Sequence, residues 1–266
     1  MKKIIVSLIL IIFCSLLYAM YIEPDLFKIN TYQIKTEVPD SFKDLKIVHF
    51  SDTLINYSYT IDELKNLVKR INNLKPDIIF FTGDLIDSNY KISDEEKKVI
   101  TDSLKSLKVN LFKYSIYGDN DLKNQTVYEE IMKESEFTLL NNESQLLFYK
   151  DLTPITITGL TNTTDIEKAY STDENINSSL NITLIHKPDS ITSLVKSDVV
   201  LGGHYLGGYI NIPFYGPIIK KEGAETYCDK YFVENKTQMF VSNGIGTENF
   251  NIRFMNIPSI NVYRFE

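Results

Sequence analysis

Tryptophan is absent from this 266-residue chain, and cysteine and histidine are scarce, with two and three copies. Cys14 lies in an apolar N-terminal run and Cys228 in the polar, aromatic stretch TYCDKYF, so neither a disulfide framework nor a cysteine metal site is available. Any metal must therefore be held by Asp, Asn and His. Positive charge is also short: 28 Lys and Arg stand against 35 Asp and Glu, a formal net charge of −7. With no Lys/Arg run to reverse that balance, a general nucleic-acid surface is excluded. Internal repeats and low-complexity linkers are missing, so nothing divides the globular part. What is present is apolar: 43% of residues are hydrophobic and 24% charged, enough to bury the core of one large domain.

The N-terminus carries a targeting signal. Lys2 and Lys3 precede IIVSLILIIFCSLLYAMYI, residues 4–22, an uncharged run of nineteen residues that is close to the length needed to cross a bilayer. Leu17 before Ala19 fits a signal-peptidase site poorly, and Phe13 before Cys14 fits a lipidation site poorly, so the reading is an uncleaved single-pass anchor. Secretion after signal cleavage is the alternative. With the two lysines held inside, the remainder is expected outside the cytoplasm. Residues 1–22 are thus read as anchor or signal segment, 23–44 as a tether with one strand, and 45–266 as the domain.

From Leu45 onward the pattern becomes regular. LKIVHF reads as a strand, and TIDELKNLVKRINNLK as a helix opened by a Thr60–Glu63 capping box, with Ile61, Leu64, Leu67, Val68, Ile71 and Leu74 on one face. DIIFFTG is a buried strand, SDEEKKVITDSLKSL a helix capped by Ser93 and Glu96, and KYSIYG another strand. Later segments are strand-rich: ITITG, NITLIH, DVVLGG, QMFVSNG and SINVYRF, with short helical pieces between them. Strands with crossover helices, then strand-rich sequence, indicate an α/β domain whose sheets are covered by helices.

Polar residues follow these strands repeatedly. IVHFSD ends at Asp52, IIFFTGD at Asp84, YSIYGDND at Asp119–Asp121, ITLIH at His186 and VVLGGH at His204. Ligands in sheet-centred α/β folds bind beyond the carboxyl ends of strands, so five such ends can meet in one site. An O/N donor set of this kind suits Mn, Fe or Zn better than a thiolate-seeking metal. His49, inside its strand, is expected to be a strand-face or core residue. Tyr205, Tyr209, Phe214 and Tyr215 either pack a β-rich lip or form a rim facing lipid. The Asn56 sequon matters only in a glycosylating host, and Cys228 is expected to be partly buried and unreactive.

The ordered segments FSDTL, FTGDLID, YGDND, LIHKPD and GGHYLGGYINIP resemble the motif series of the calcineurin-like metallophosphoesterases. The later VSNGIGTENFNIRFMNIPSI is similar to the closing segment of their membrane-anchored bacterial branch, so the resemblance covers about residues 45–265. It implies a four-layer α/β/β/α sandwich with two metals at the strand ends, and hydrolysis of phosphodiester or pyrophosphate bonds, including those of lipid-linked nucleotide sugars. Against the family's pattern, Asp52 matches a first-metal ligand and Asp84 the carboxylate shared by both metals, with Asp87 as its partner. Leu54 and Leu206 stand where two histidines of the first site are expected. Asp119 takes the place of a ligand Asn. Asn120 replaces the histidine that assists the leaving group, and Asp121 keeps the residue that orients it. His186 and His204 match second-site ligands.

Two of the four side chains expected at the first metal are therefore leucines, whereas Asp84, Asp119, His186 and His204 can all coordinate the second. The expectation is one divalent metal, with no second. Asn120 can donate a hydrogen bond to a phosphate oxygen but cannot deliver a proton, and loss of a positioned acid costs about 10²- to 10⁴-fold in rate. Three readings follow: a weak or specialised one-metal phosphodiesterase, a non-catalytic binder of metal or a phosphorylated or lipid-linked ligand at the membrane, and a scaffold with an empty site. Metal content separates them.

Overall fold

In the computed structural model, which describes residues 1–150, 152–161, 169, 178–191, 197–234, 236–248 and 250–266, the short β-branched and aromatic runs become the central strands of two sheets. The first contains β1 (Lys28–Ile34), β2 (Ile47–Phe50), β3 (Ile78–Phe81), β4 (Phe112–Ser115), β5 (Thr138–Leu139) and the final strand β14 (Ser259–Phe265), in the order β1-β14-β2-β3-β4-β5. The second contains β6 (Glu143–Phe148), β7 (Pro154–Leu160), β8 (Leu180–Ile185), β9 (Val199–Gly202), β12 (Tyr231–Glu234) and β13 (Thr237–Val241), in the order β12-β13-β9-β8-β7-β6. A small hairpin of β10 (Asn211–Ile212) and β11 (Gly216–Pro217) stands apart from both.

Every residue of β2 and β3 is buried, because these strands are covered on both faces. Ile47, Ile78, Phe80 and Tyr114 meet Ile155, Ile157, Ile182, Leu184 and Leu201 between the sheets. On the other face Val48, Phe50, Ile79 and Phe81 pack with α2 (Ile61–Leu74), α3 (Asp94–Lys105) and α5 (Gln125–Glu134), the last preceded by the short α4 (Asp119–Lys123). Both expected capping boxes form, at Thr60/Glu63 and Ser93/Glu96. Burial of Leu64, Leu67, Val68 and Ile71 by α2 is worth roughly 1.5–3 kcal/mol per side chain, an upper bound since the unfolded chain already hides some of that area.

The α/β architecture with two face-to-face sheets agrees with the sequence expectation. A third apolar cluster, including Leu160, Ile185, Val200, Met239 and Val241, lies on the outer face of the second sheet. The helical pieces expected over that face fall largely on 162–168, 170–177 and 192–196, outside the described residues. The strand expected within 23–44 is β1, paired in parallel with β14 from Lys28↔Ser259 to Ile34↔Phe265, so this segment forms the edge of the first sheet. Helix α5 carried no sequence signal at its start, and Asn124 indeed makes no side-chain cap.

Helix α1 (Lys2–Tyr21) is long and apolar enough to cross a membrane, and its side chains are largely exposed. Only its end docks on the domain. Arg253 N–H donates to the Ala19 carbonyl at 2.9 Å, and the buried Glu23 carboxylate accepts the N–H groups of Met255 (2.8 Å) and Asn256.

Candidate metal centre

The turns after β2, β3, β4, β8 and β9 bring Asp52, Asp84, Asp119, His186 and His204 together. The close packing of these turns requires glycine: a Cβ on Gly118 would lie 2.3 Å from Asp84 Oδ1, and one on Gly203 would lie 2.1 Å from Ser51 Oγ and 2.9 Å from Asp52 Oδ2. Asp52, Asp84 and His204 themselves sit in the left-handed region, with φ of +53°, +61° and +66°. Such conformations cost about 1–2 kcal/mol each for a residue with a Cβ and collect at functional sites.

Ligand atoms of Asp84, His186 and His204 all lie within 4.8 Å of one another, and all three residues are buried. His186 Nδ1 lies 2.7 Å from the Thr82 carbonyl, which can only accept, so Nδ1 carries the proton and Nε2 faces Asp84 Oδ2 at 3.3 Å. By the same logic His204 Nε2 donates to the Glu222 carbonyl at 2.7 Å, leaving Nδ1 turned toward Asp119 Oδ2 at 3.6 Å. Neither His186 Nε2 nor His204 Nδ1 has a hydrogen-bond partner. Two buried, orphaned imidazole nitrogens aimed at carboxylates, each ring fixed through its other nitrogen, are the arrangement a divalent metal requires.

The electrostatics agree. Burial pushes the His204 pKa down to about 3, keeping its lone pair free. Burial also disfavours charge on His186, but the facing Asp84 reverses this and holds it up to about 10. Asp84 in turn lies below the ordinary carboxylate range: burial would raise it, and His186 with the Asn120 N–H outweighs that. A metal would have to displace the His186 proton, so binding releases a proton.

The first-metal position is different. Leu54 and Leu206 are fully buried and retain left-handed backbones, φ +46° and +52°. A Cβ on Gly244 would meet Leu206 Cδ2 at 2.4 Å, Asp52 Cβ at 3.0 Å and Arg253 Nη2 at 3.6 Å, so a leucine and a guanidinium crowd the same point beside Asp52. Arg253 is fully buried and donates to the carbonyls of Asn243 (2.9 Å) and Gly246 (2.6 Å). The Asp52 carboxylate accepts the His204 backbone N–H at 3.0 Å. Burial pushes the Asp52 pKa up to about 6, against the pull of His186.

A carboxyl whose pKa rises on folding stabilises the fold below its unfolded value, and that contribution is lost as pH climbs from about 3.8 through about 6. In metal-free protein Asp52→Asn should therefore gain stability over wild type on going from about pH 4 to about pH 7. Urea midpoints at the two pH values check it; a constant difference would show that Asp52 carries no such penalty.

Three expectations for the supporting residues change. Asn120 does not face an open phosphate position: its Nδ2 donates to Asp84 Oδ2 at 2.8 Å, its backbone N–H to Asp84 Oδ1 at 2.7 Å, and its Oδ1 accepts from Ser88 N–H at 3.0 Å. One N–H of the amide thus steadies Asp84, and the amide oxygen is held by Ser88. Asp121 does not orient Asn120; its carboxylate accepts the N–H groups of Asp84 (2.7 Å), Leu85 (3.0 Å) and Gly118 (2.8 Å), fixing two turns. Asp87 accepts from Asn89 instead of touching Asp84. His49 is a buried core residue, bonded to the Thr82 hydroxyl at 2.9 Å and Tyr263 OH at 3.2 Å.

Sequence reasoning missed the lysines around this centre. Lys187 Nζ lies 3.0 Å from Asp119, and Lys221 pairs with Glu248 at 2.7 Å, which also accepts Tyr209 OH at 3.0 Å. Lys187 adjoins His186 in the sequence and was findable; Lys221, Glu248 and Arg253 are brought in only by tertiary contacts. A cleft of about 230 Å³ opens beside the centre, lined by Tyr117, Asp119, Leu160, His186 and Lys187 among others.

Two face-to-face sheets, with carboxylates and imidazoles at their strand ends, define the class: a mixed α/β metallophosphoesterase fold. The chain belongs to the calcineurin-like phosphoesterase family, whose model matches residues 45–227. It is 32% identical to the uncharacterized metallophosphoesterase YkuE of Bacillus subtilis, covering 92% of this chain and 88% of that one. It is 27% identical to the UDP-2,3-diacylglucosamine pyrophosphatase LpxG of Chlamydia muridarum, over 93% and 92% of the two chains. A zebrafish transmembrane protein with a metallophosphoesterase domain is 24% identical, covering 82% of this chain and 53% of its own length. Among solved structures, the sulfate thiohydrolase SoxB of Thermus thermophilus superposes with a TM-score of 0.50 at 10% identity, covering 79% of this chain and 53% of that one, a likeness of fold alone.

Proposed function

We propose that this protein is a membrane-anchored, one-metal member of its family that binds a phosphorylated ligand and hydrolyses phosphodiesters weakly or not at all. The observation that carries the reading is the pair of orphaned ring nitrogens on His186 and His204 around Asp84, set against leucines at both histidine positions of the other site. Asp84, Asp119, His186 and His204 would hold one Mn, Fe or Zn ion, and Asp52 is the remnant of the first site. When bound, the ion supplies Lewis-acid stabilisation of negative charge on a phosphoryl oxygen.

This chain's own residues do the rest. Lys187 offers an ammonium to a phosphate in the adjoining cleft once it turns from Asp119, and Asn120 and Asp121 keep Asp84 in place. No histidine stands at position 120 to protonate a leaving group, which is why turnover is weak. The N-terminal helix and the LpxG relative favour a membrane-associated, lipid-linked phosphoester as ligand class. Lys2 and Lys3 favour a domain outside the cytoplasm, where protease added to sealed cells would reach it.

The deciding experiment measures metal content and turnover of a chromogenic phosphodiester on one sample of detergent-purified full chain. About one equivalent of metal per chain with little turnover is the expected result. No metal under excess supply would leave the scaffold reading, and turnover at the level of a two-metal enzyme would refute the degenerate one.

A further inference from the structure

Five of the large apolar side chains exposed outside α1 fall within one stretch of eight residues: Ile212, Phe214, Tyr215, Ile218 and Ile219. Phe214 is fully exposed and Tyr215 is 77% exposed, whereas Tyr205 is buried under the loop, so the four aromatics grouped by the sequence divide between packing and rim. These side chains occupy the β10–β11 hairpin and its return. The turn is closed by Tyr215 N–H to the Ile212 carbonyl at 3.1 Å, and the base by Ile218 N–H to the Ile210 carbonyl at 2.9 Å. An apolar tip of this kind, with Lys220 exposed and Lys221 at its shoulder, is left uncovered by the described residues.

Its base is joined to the end of α1. Phe254 N–H donates to the Tyr209 carbonyl and Asn211 N–H to the Phe254 carbonyl, both at 2.9 Å, so residue 254 runs beside the hairpin base like an added strand. On either side of Phe254, Arg253 bonds Ala19, and Met255 and Asn256 bond Glu23; Phe254 also meets Tyr18 edge-on with ring centroids 6.4 Å apart. Twenty helical residues span about 30 Å, the thickness of the hydrocarbon core, so Ala19 and Glu23 mark where the chain leaves the bilayer. The hairpin base is then about one strand spacing from that level, and its two-residue arms and tip reach roughly 10 Å further.

We propose that the β10–β11 hairpin is a second membrane contact, seating Phe214 and Tyr215 in the headgroup region of the leaflet where α1 emerges. The occupant is the lipid surface itself, because the hairpin is hydrogen-bonded to the segment that carries the anchor's end, and the aromatic tip with lysines behind it is the pattern of an interfacial insertion. Both ends of the excursion meet at the candidate centre: it leaves at His204 and returns at Glu222, and His204 Nε2 donates to the Glu222 carbonyl. Seating the hairpin therefore places that centre at headgroup level, where the phosphate of a lipid-linked ligand lies. The inference rests on the anchor reading above.

The absence of tryptophan supplies the test, since any introduced indole is the sole tryptophan emitter. Full-length Phe214→Trp, Leu10→Trp and Leu152→Trp are each reconstituted into vesicles with and without brominated phospholipid. Leu152 is 90% exposed next to the start of β7, away from the strand ends that carry the centre. Phe214→Trp should lose about half of its emission to brominated lipid, with a blue shift, as Leu10→Trp does, while Leu152→Trp stays within about a tenth of its value. Quenching at Leu10 but not at Phe214 overturns the hairpin contact and leaves the anchor. No quenching at either position overturns both, and quenching at Phe214 alone overturns the anchor and with it the seating of the hairpin beside α1.

Discussion

Asp84→Asn is expected to lower bound metal from about one equivalent per chain to below about a tenth, a loss of at least about 100-fold in affinity. Asp84 is the carboxylate at the heart of the cluster: buried, 3.3 Å from His186 Nε2, with both oxygens steadied by Asn120. Asparagine keeps the shape and can still accept one of the two Asn120 N–H groups while setting its own amide against the other, so it should disturb the fold less than Asp84→Ala, which would strand both donors. The loss of negative charge also removes the main influence that raises the His186 pKa against burial, so His186 in the metal-free mutant should lose its proton at a lower pH than in wild type. Elemental analysis with a thermal melt on the same sample gives the answer. A folded Asp84→Asn protein that keeps a full equivalent of metal would place the ion elsewhere.

The second large effect is a gain. The quadruple variant Leu54→His, Asp119→Asn, Asn120→His and Leu206→His should raise manganese-dependent phosphodiester turnover by about 10²- to 10⁴-fold over wild type. Its premise is structural: Leu54 and Leu206 keep left-handed backbones held by the same turns, with Leu54 N–H on the Asp84 carbonyl at 3.0 Å, so new imidazoles start from a site-like backbone. Two obstacles set its limit. The imidazole introduced in place of Asn120 would have to project into the site, away from the positions where the native amide bonds Asp84 and Ser88, and Arg253 leaves a fixed positive charge beside Asp52. The first metal should accordingly bind more weakly than the second, so a second equivalent appears only at higher manganese. A folded variant carrying two equivalents but no faster than wild type would mean that the lost histidines do not account for weak turnover.

Much of this was legible in the chain because it is local. The strands IVHF and IIFF, the capping boxes at Thr60 and Ser93, and the apolar face of α2 follow from periodicity and short-range hydrogen bonding. Residues placed after strands had to gather at one edge of the sheets, so Asp84, His186 and His204 could be named before any geometry existed. Orientation was not legible. Residue order says that Asn120 and Asp121 sit in the turn after β4, but not that the Asn120 amide is tied to Asp84 and Ser88, or that the Asp121 carboxylate gathers three backbone N–H groups.

The sequence by itself determined the class of fold, the apolar N-terminal helix, the donor set and the two leucines that deplete it, because each depends on residue type and short spacing. Tertiary structure alone decided which nitrogen of each histidine is left unpaired, that buried Arg253 crowds the point beside Asp52, and that the hairpin leaving the His204 loop is tied to the end of α1. Those facts depend on contacts between residues as much as 234 positions apart, as from Ala19 to Arg253. Chain packing creates such contacts, and no local pattern encodes them.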